Sequence, residues 1–99
     1  MATDTTYSLD EARELLPTIR ATLLRVAVER RTGGDVATLR ALLDHLGSLG
    51  VVVRDLDGGL IDIPTMRAGE RAWLCWRLED PSLGWWHTTH EGFAERRPL

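Results

Sequence analysis

Lysine, asparagine and glutamine are missing from this 99-residue chain, so all 12 basic side chains are arginine. That usage fits the codon bias of a GC-rich genome and carries no function by itself. Fifteen acidic residues outweigh the arginines and leave a net charge of −3. The basic pairs Arg30-Arg31 and Arg96-Arg97 are too short to form a patch. Affinity for phosphate backbones needs a positive surface, so no nucleic-acid partner is expected. A single cysteine, Cys75, excludes an internal disulfide framework and an all-cysteine zinc site. No apolar run approaches the roughly 18 residues of a membrane span, and no basic-then-apolar signal segment opens the chain. A cytoplasmic protein without a membrane partner is the expectation.

What is present is an ordinary globular balance, 43% hydrophobic and 27% charged. A chain this short makes one domain, 1–99, and buries only about two-thirds of its unfolded surface, so a partner subunit would widen a thin stability margin.

The first half, 1–50, carries helical periodicity. Ser8-Leu9-Asp10-Glu11 has capping-box spacing, with Tyr7 and Ala12 placed as a hydrophobic staple. Beyond it, Leu9, Ala12, Leu16, Ile19, Leu23 and Val26 recur at steps of three and four. Pro17 removes one internal hydrogen bond, which predicts a bend or a frayed first turn. Gly33-Gly34 ends the helix. Asp35 caps a second one, with Val36, Leu39, Leu42, Leu43, Leu46 and Leu49 on its apolar side. Gly50 occupies the left-handed C-cap position, with Val51 set to touch Leu46. The short connection predicts an antiparallel hairpin of unequal arms, roughly 35 Å against 22 Å, whose longer arm has apolar surface to spare.

From Val51 the period changes to two. Val51 to Asp55 and Leu60 to Ile63 read as strands around Asp57-Gly58-Gly59, with Gly59 left-handed. That register sets Arg54 opposite Asp62 and Val53 opposite Ile63, and Pro64 ends the strand. A turn near Met66 to Gly69 leads into Arg71 to Leu78, where Ala72, Leu74, Trp76 and Leu78 alternate with Arg71, Trp73, Cys75 and Arg77. Asp80-Pro81 turns the chain and Leu83 to Thr88 returns as a fourth strand, closing the sheet region 51–88. Residues 89–99 form a tail held down by Phe93. The expected fold is α+β: a helical hairpin followed by a four-stranded, mostly antiparallel sheet (ααββββ), with the helices on one face.

Chemistry centres on Cys75 and His87. If residue pairs across the last hairpin sum to 162, the two side chains are opposite each other and can serve as nucleophile and base, or as two metal ligands. If the pairs sum to 161, Cys75 faces Trp86 and His87 joins the other face. The bland reading is that a lone strand cysteine is a small buried hydrophobe and a histidine beside tryptophan is a packed, hydrogen-bonded residue. Further donors are His90, Glu91, Asp55, Asp57 and Asp62, none at diagnostic spacing. Asp62 has a structural use opposite Arg54, and Asp57 is a turn residue. A centre built on Cys75, His87, Glu91 and Asp62 would take zinc or iron. A thiol enzyme lacks a supporting nucleophile elbow or oxyanion loop around Cys75.

Four tryptophans fall within fourteen positions. Trp76 and one of Trp85 and Trp86 belong to the core. A recognition surface would draw on Trp73, Trp76, Trp86, Arg71 and Arg77, residue types that dominate interface hot spots. The tail folding over the tryptophans is the competing expectation.

These motifs together resemble a bacterial family, domain of unknown function 2203. The resemblance runs over Ser8 to Ala12 with Leu15-Leu16-Pro17, and over Asp55-Leu56-Asp57 with Gly59 to Pro64. It continues through Leu74-Cys75-Trp76-Arg77-Leu78, Trp86-His87 and Glu91-Gly92-Phe93. It covers nearly the whole chain, implies no established activity or cofactor, and the stretch from Val26 to Val36 is shorter than that family's pattern. The leading expectation is a non-catalytic module that self-associates as a homodimer. The alternative is a small metal- or cofactor-binding protein using Cys75 and His87.

Overall fold

The computed structural model describes residues 5–99. Helix α1 spans Leu9–Arg31 and α2 spans Val36–Ser48. Both start where their caps dictate. The Glu11 amide donates to Ser8 Oγ at 3.1 Å, and the Ser8 amide donates to Glu11 Oε1 at 2.8 Å. The Ala37 amide donates to Asp35 Oδ1 at 3.2 Å. Pro17 does not fray α1, which runs unbroken through it. Both Pro17 and Arg13, whose carbonyl loses its partner, are exposed, so water can take that bond. At the far end of α2, Gly50 adopts φ +81° and the Val51 amide donates to Leu46 O at 3.1 Å.

The sheet is an antiparallel meander in the order β1-β2-β3-β4-β5. Its strands are β1 Val52–Asp55, β2 Leu60–Arg67, β3 Glu70–Trp76, β4 Trp85–Thr88 and β5 Arg97–Pro98. The fold is therefore α+β as expected, but the sheet has five strands rather than four. The tail supplies the fifth: Pro98 pairs with Trp85 and Arg97 with Trp86, and the Leu99 amide donates to Gly84 O at 2.9 Å. A short 3₁₀ turn, Phe93–Glu95, precedes it.

Two strand details depart from expectation. Pro64 does not end β2 but sits inside it, opposite Trp73. Its carbonyl accepts from the Tyr7 amide at 2.8 Å on the side where β1 has already stopped, so no ladder donor is lost there. The β1–β2 register pairs Val52 with Asp62 and Val53 with Ile61, with a bulge before Asp55–Leu60. Arg54 is thus not directly opposite Asp62. A slide of two residues keeps every side chain on its face, so Arg54 still reaches Asp62 diagonally.

Core packing follows the alternation. Ile61, Ile63, Leu74 and Trp76 meet Ala12, Ile19, Leu23 and Leu46, all buried, at about 1.5–3 kcal/mol for each large side chain. Gly59, at φ +62°, allows the β1–β2 turn to close on Leu78, which a Cβ would meet at 2.5 Å. The face away from the helices carries Arg54, Asp62, Trp73, Cys75, Trp85 and His87. The tail lies over part of it, with the Phe93 ring under the Arg77 and Arg96 guanidinium groups. Among the described residues, no helix is long and apolar enough to cross a membrane.

Candidate metal centre

Strand pairing brings three chemically distinct side chains together. Asp62 on β2 is directly opposite Cys75 on β3. On the other side of β3, Cys75 pairs with Trp85 and Trp73 pairs with His87. These pairs sum to 160, so neither register weighed for the last hairpin is the one formed. The observed pairing is slid by two from the register that opposes Cys75 and His87. It therefore leaves them on one face as diagonal neighbours. The eight-residue link 77–84 sets this offset. The Asp80 amide donates to Arg77 O at 2.8 Å, the Trp76 indole donates to Asp80 O at 3.2 Å, and Leu83 is drawn into the core.

His87 reaches over β3 to Asp62, two strands and roughly 9.6 Å of sheet away. The small Cys75 side chain beneath leaves room for that bridge. His87 Nε2 lies 3.1 Å from Asp62 Oδ1 and 3.0 Å from Oδ2, while Nδ1 lies 2.8 Å from Thr88 O. A carbonyl only accepts, so Nδ1 carries the hydrogen, and in the neutral ring the Nε2 lone pair points at a carboxylate. Two acceptors face each other, and a proton or a metal cation must lie between them. Arg54 Nε donates to Asp62 Oδ2 at 2.9 Å and holds that carboxylate in place. A carboxylate oxygen of Asp62, the Cys75 sulfur and a ring nitrogen of His87 all fall within 4.8 Å of one another. The three residues are at most 2% exposed.

Burial, and then the Asp62 charge, push the Cys75 thiol from 9.0 up to about 11, against a lowering contribution from Arg96. A protonated, inaccessible thiol is a poor nucleophile near neutrality. Because the folded value is the higher one, this contribution to stability is complete below pH 9 and is lost as pH rises toward 11. Denaturant titrations of the metal-free protein should show a loss of about 2–3 kcal/mol over that interval. Cys75→Ala should not show that loss.

The remaining residues sort plainly. Glu91 lies beside the trio but outside it: Oε1 accepts from the Thr88 amide at 3.1 Å and Oε2 pairs with Arg97. The Thr88 amide bond, chiefly, holds its carboxyl below the usual range. Asp57 pairs with Arg30 at 3.0 Å, and His90 is exposed. Trp73 is half-buried under Arg54, 5.2 Å from its ring centre. Trp76 is wholly buried beneath the helices, so it belongs to the core and not to a recognition surface. Trp86 is half-buried on the helix side, between Arg67 and Arg97. Arg71 is exposed at the start of β3, and Arg77 pairs with Glu79 and Asp80.

Sequence reading missed the latch that closes this face. Arg96 Nη1 lies 2.8 Å from Asp80 Oδ2, both side chains about a tenth exposed. Its guanidinium also covers Trp85 at 4.5 Å, and its charge acts to lower the Cys75 thiol pKa against the effect of burial. Burial pushes the Asp80 carboxyl up, yet Arg96 and the Arg77 amide bring it below its ordinary value. In the sequence Asp80 reads as a turn residue and Arg96 as part of a tail, and no local pattern links them.

Comparison with known proteins places the chain in a family. Residues 26–99 match the model of the uncharacterized conserved protein family DUF2203, and the chain belongs to that family. The resemblance read at Ser8 to Pro17 lies outside the matched span. No curated protein and no solved structure matches the chain.

Proposed function

We propose that this member of DUF2203 binds one transition-metal ion, zinc or iron, through Asp62, Cys75 and His87. The observation that carries the reading is the imidazole whose Nδ1 is committed to the Thr88 carbonyl while Nε2 faces a buried carboxylate. Metal-bound histidines show this arrangement, the second nitrogen donating to a carbonyl that fixes ring and tautomer. The donor set suits such ions, since a mixed sulfur, nitrogen and oxygen shell is common for zinc and accepted by iron. Donor atoms around a tetrahedral ion lie about 3.3–3.8 Å apart, given bonds of about 2.0–2.3 Å. The three donors, within 4.8 Å of one another, need to draw together by about 1 Å to form that shell. When bound, the ion supplies Lewis acidity. The chain's own parts anchor Asp62 through Arg54, fix His87 through Thr88, and shield the thiol with Trp85 and Arg96. A thiol kept reduced for ligation fits a cytoplasmic location.

Protein purified without an affinity tag and dialysed against zinc should retain one ion per chain. Cys75→Ala should weaken retention at least about 100-fold, the upper end of what losing even an outer-shell partner costs. Equal zinc retention by wild type and Cys75→Ala contradicts the reading.

A second reading, self-association, concerns the helices. Helix α1 has 23 residues against 13 in α2. Leu24 and Val28, one turn apart on α1, are 48% and 44% exposed, and Val36 is 68% exposed. The chain's own tail covers part of the tryptophan face, and this strip is the surface we assign to a symmetric copy. Sedimentation at high micromolar concentration should show a dimer, and Leu24→Glu with Val28→Glu a monomer. A monomeric wild type contradicts it.

A further inference from the structure

Three protein donors leave one position of a tetrahedral ion open, and two of them, Asp62 and His87, line a cleft of about 300 Å³. Arg54, Thr89, Glu91 and Phe93 form its other walls. The volume sits at the small end of the range for organic ligands, about 300–1,000 Å³. Charge inside the cleft is already sorted. Glu91 is neutralised by Arg97 and held by the Thr88 amide. Arg54 commits Nε to Asp62 and rests on Trp73, which leaves both terminal amino groups unbonded among the described residues. A divalent ion balanced by one carboxylate and one thiolate is neutral, so Arg54 gives the loaded site a single positive charge. The Phe93 ring adds an apolar wall.

The geometry points to a small monocarboxylate as the ligand of this cleft, one oxygen on the metal ion, the other on the Arg54 guanidinium, and its hydrocarbon end against Phe93. This rests on the metal-binding reading above. A dianion such as phosphate overshoots the single positive charge and has nothing to place against the ring. A carboxylate matches the planar guanidinium fork.

Cobalt(II) is the probe for the full-length chain, because one absorption band reports thiolate ligation and others report the fourth ligand. Titrating cobalt-loaded protein with acetate, propionate and inorganic phosphate should shift the ligand-field bands saturably, propionate binding tightest and phosphate weakest. Arg54→Met, which also loosens Asp62 and so weakens the metal itself, should still show the thiolate band at saturating cobalt, and there should bind propionate at least about ten-fold more weakly, the scale of one charge-assisted hydrogen bond. Arg54→Lys should recover part of that loss. Phe93→Ala should bring propionate down to the acetate level. A loaded protein whose spectrum ignores carboxylates, an Arg54→Met variant with unchanged propionate affinity, or phosphate as the tightest anion overturns the proposal while leaving metal binding intact. Absence of the thiolate band overturns both.

Discussion

Asp62→Ala is expected to cost the metal-free protein about 3 kcal/mol, and Asp62→Asn only about 1 kcal/mol, while both lose the metal. The alanine leaves His87, only 2% exposed, without the group its Nε2 faces, and removal of one partner from a buried pair costs about 3–5 kcal/mol. The low end applies because Arg54, the other partner, is 44% exposed and regains water. Asparagine keeps the shape: its amide nitrogen can donate to Nε2 while its oxygen accepts from Arg54, which returns most of the loss. It supplies no negative charge to a cation. Against a total of about 5–15 kcal/mol for a domain, the alanine effect is large and easily read in urea. Paired denaturation and zinc titration therefore separate a structural role for this carboxylate from a ligand role. An asparagine variant that retains zinc at wild-type affinity excludes the latter.

Arg96→Met is expected to cost about 3 kcal/mol and, because opening the face exposes the sulfur by more than loss of the Arg96 charge raises its pKa, to speed Cys75 modification by a disulfide reagent at least about ten-fold. Arg96 joins three elements at once: the Asp80 turn, the Trp85 face of β4 and the Phe93 turn. Its loss leaves Asp80 with the Arg77 amide and the longer Arg77 ion pair at 3.5 Å. Methionine fills the space without the charge, so the effect is electrostatic rather than a cavity. Arg97→Met is the control. Its partner Glu91 and its own guanidinium are nearer the solvent, so its cost should be far smaller than that of Arg96→Met. Equal effects of the two substitutions would show that Arg96 is no latch.

The helical half of the fold was legible because its signals are local. Ser8 with Glu11, Asp35 ahead of α2, and Gly50 before Val51 each act within four residues of where they sit. Strand faces were legible too, since alternation survives any slip of two residues. Registers were not. They depend on a bulge after Val53 and on an indole–carbonyl bond between Trp76 and Asp80, contacts that no alternation encodes. The fifth strand was equally hidden. It consists of Arg97 and Pro98, too few residues to alternate, one of them without a donor. Asp62, Cys75 and His87 were each readable as donors, but their convergence requires two successive pairings, β2 with β3 and β3 with β4. The evident Arg54 partnership made Asp62 look fully employed. It is instead the residue where ion pair and candidate centre meet.

X-ray absorption at the zinc edge of loaded wild-type protein tests the central claim most directly. The account predicts one sulfur at about 2.3 Å with nitrogen and oxygen donors at about 2.0–2.2 Å, the sulfur shell vanishing in Cys75→Ala. A first shell of nitrogen and oxygen alone in the wild type would contradict it.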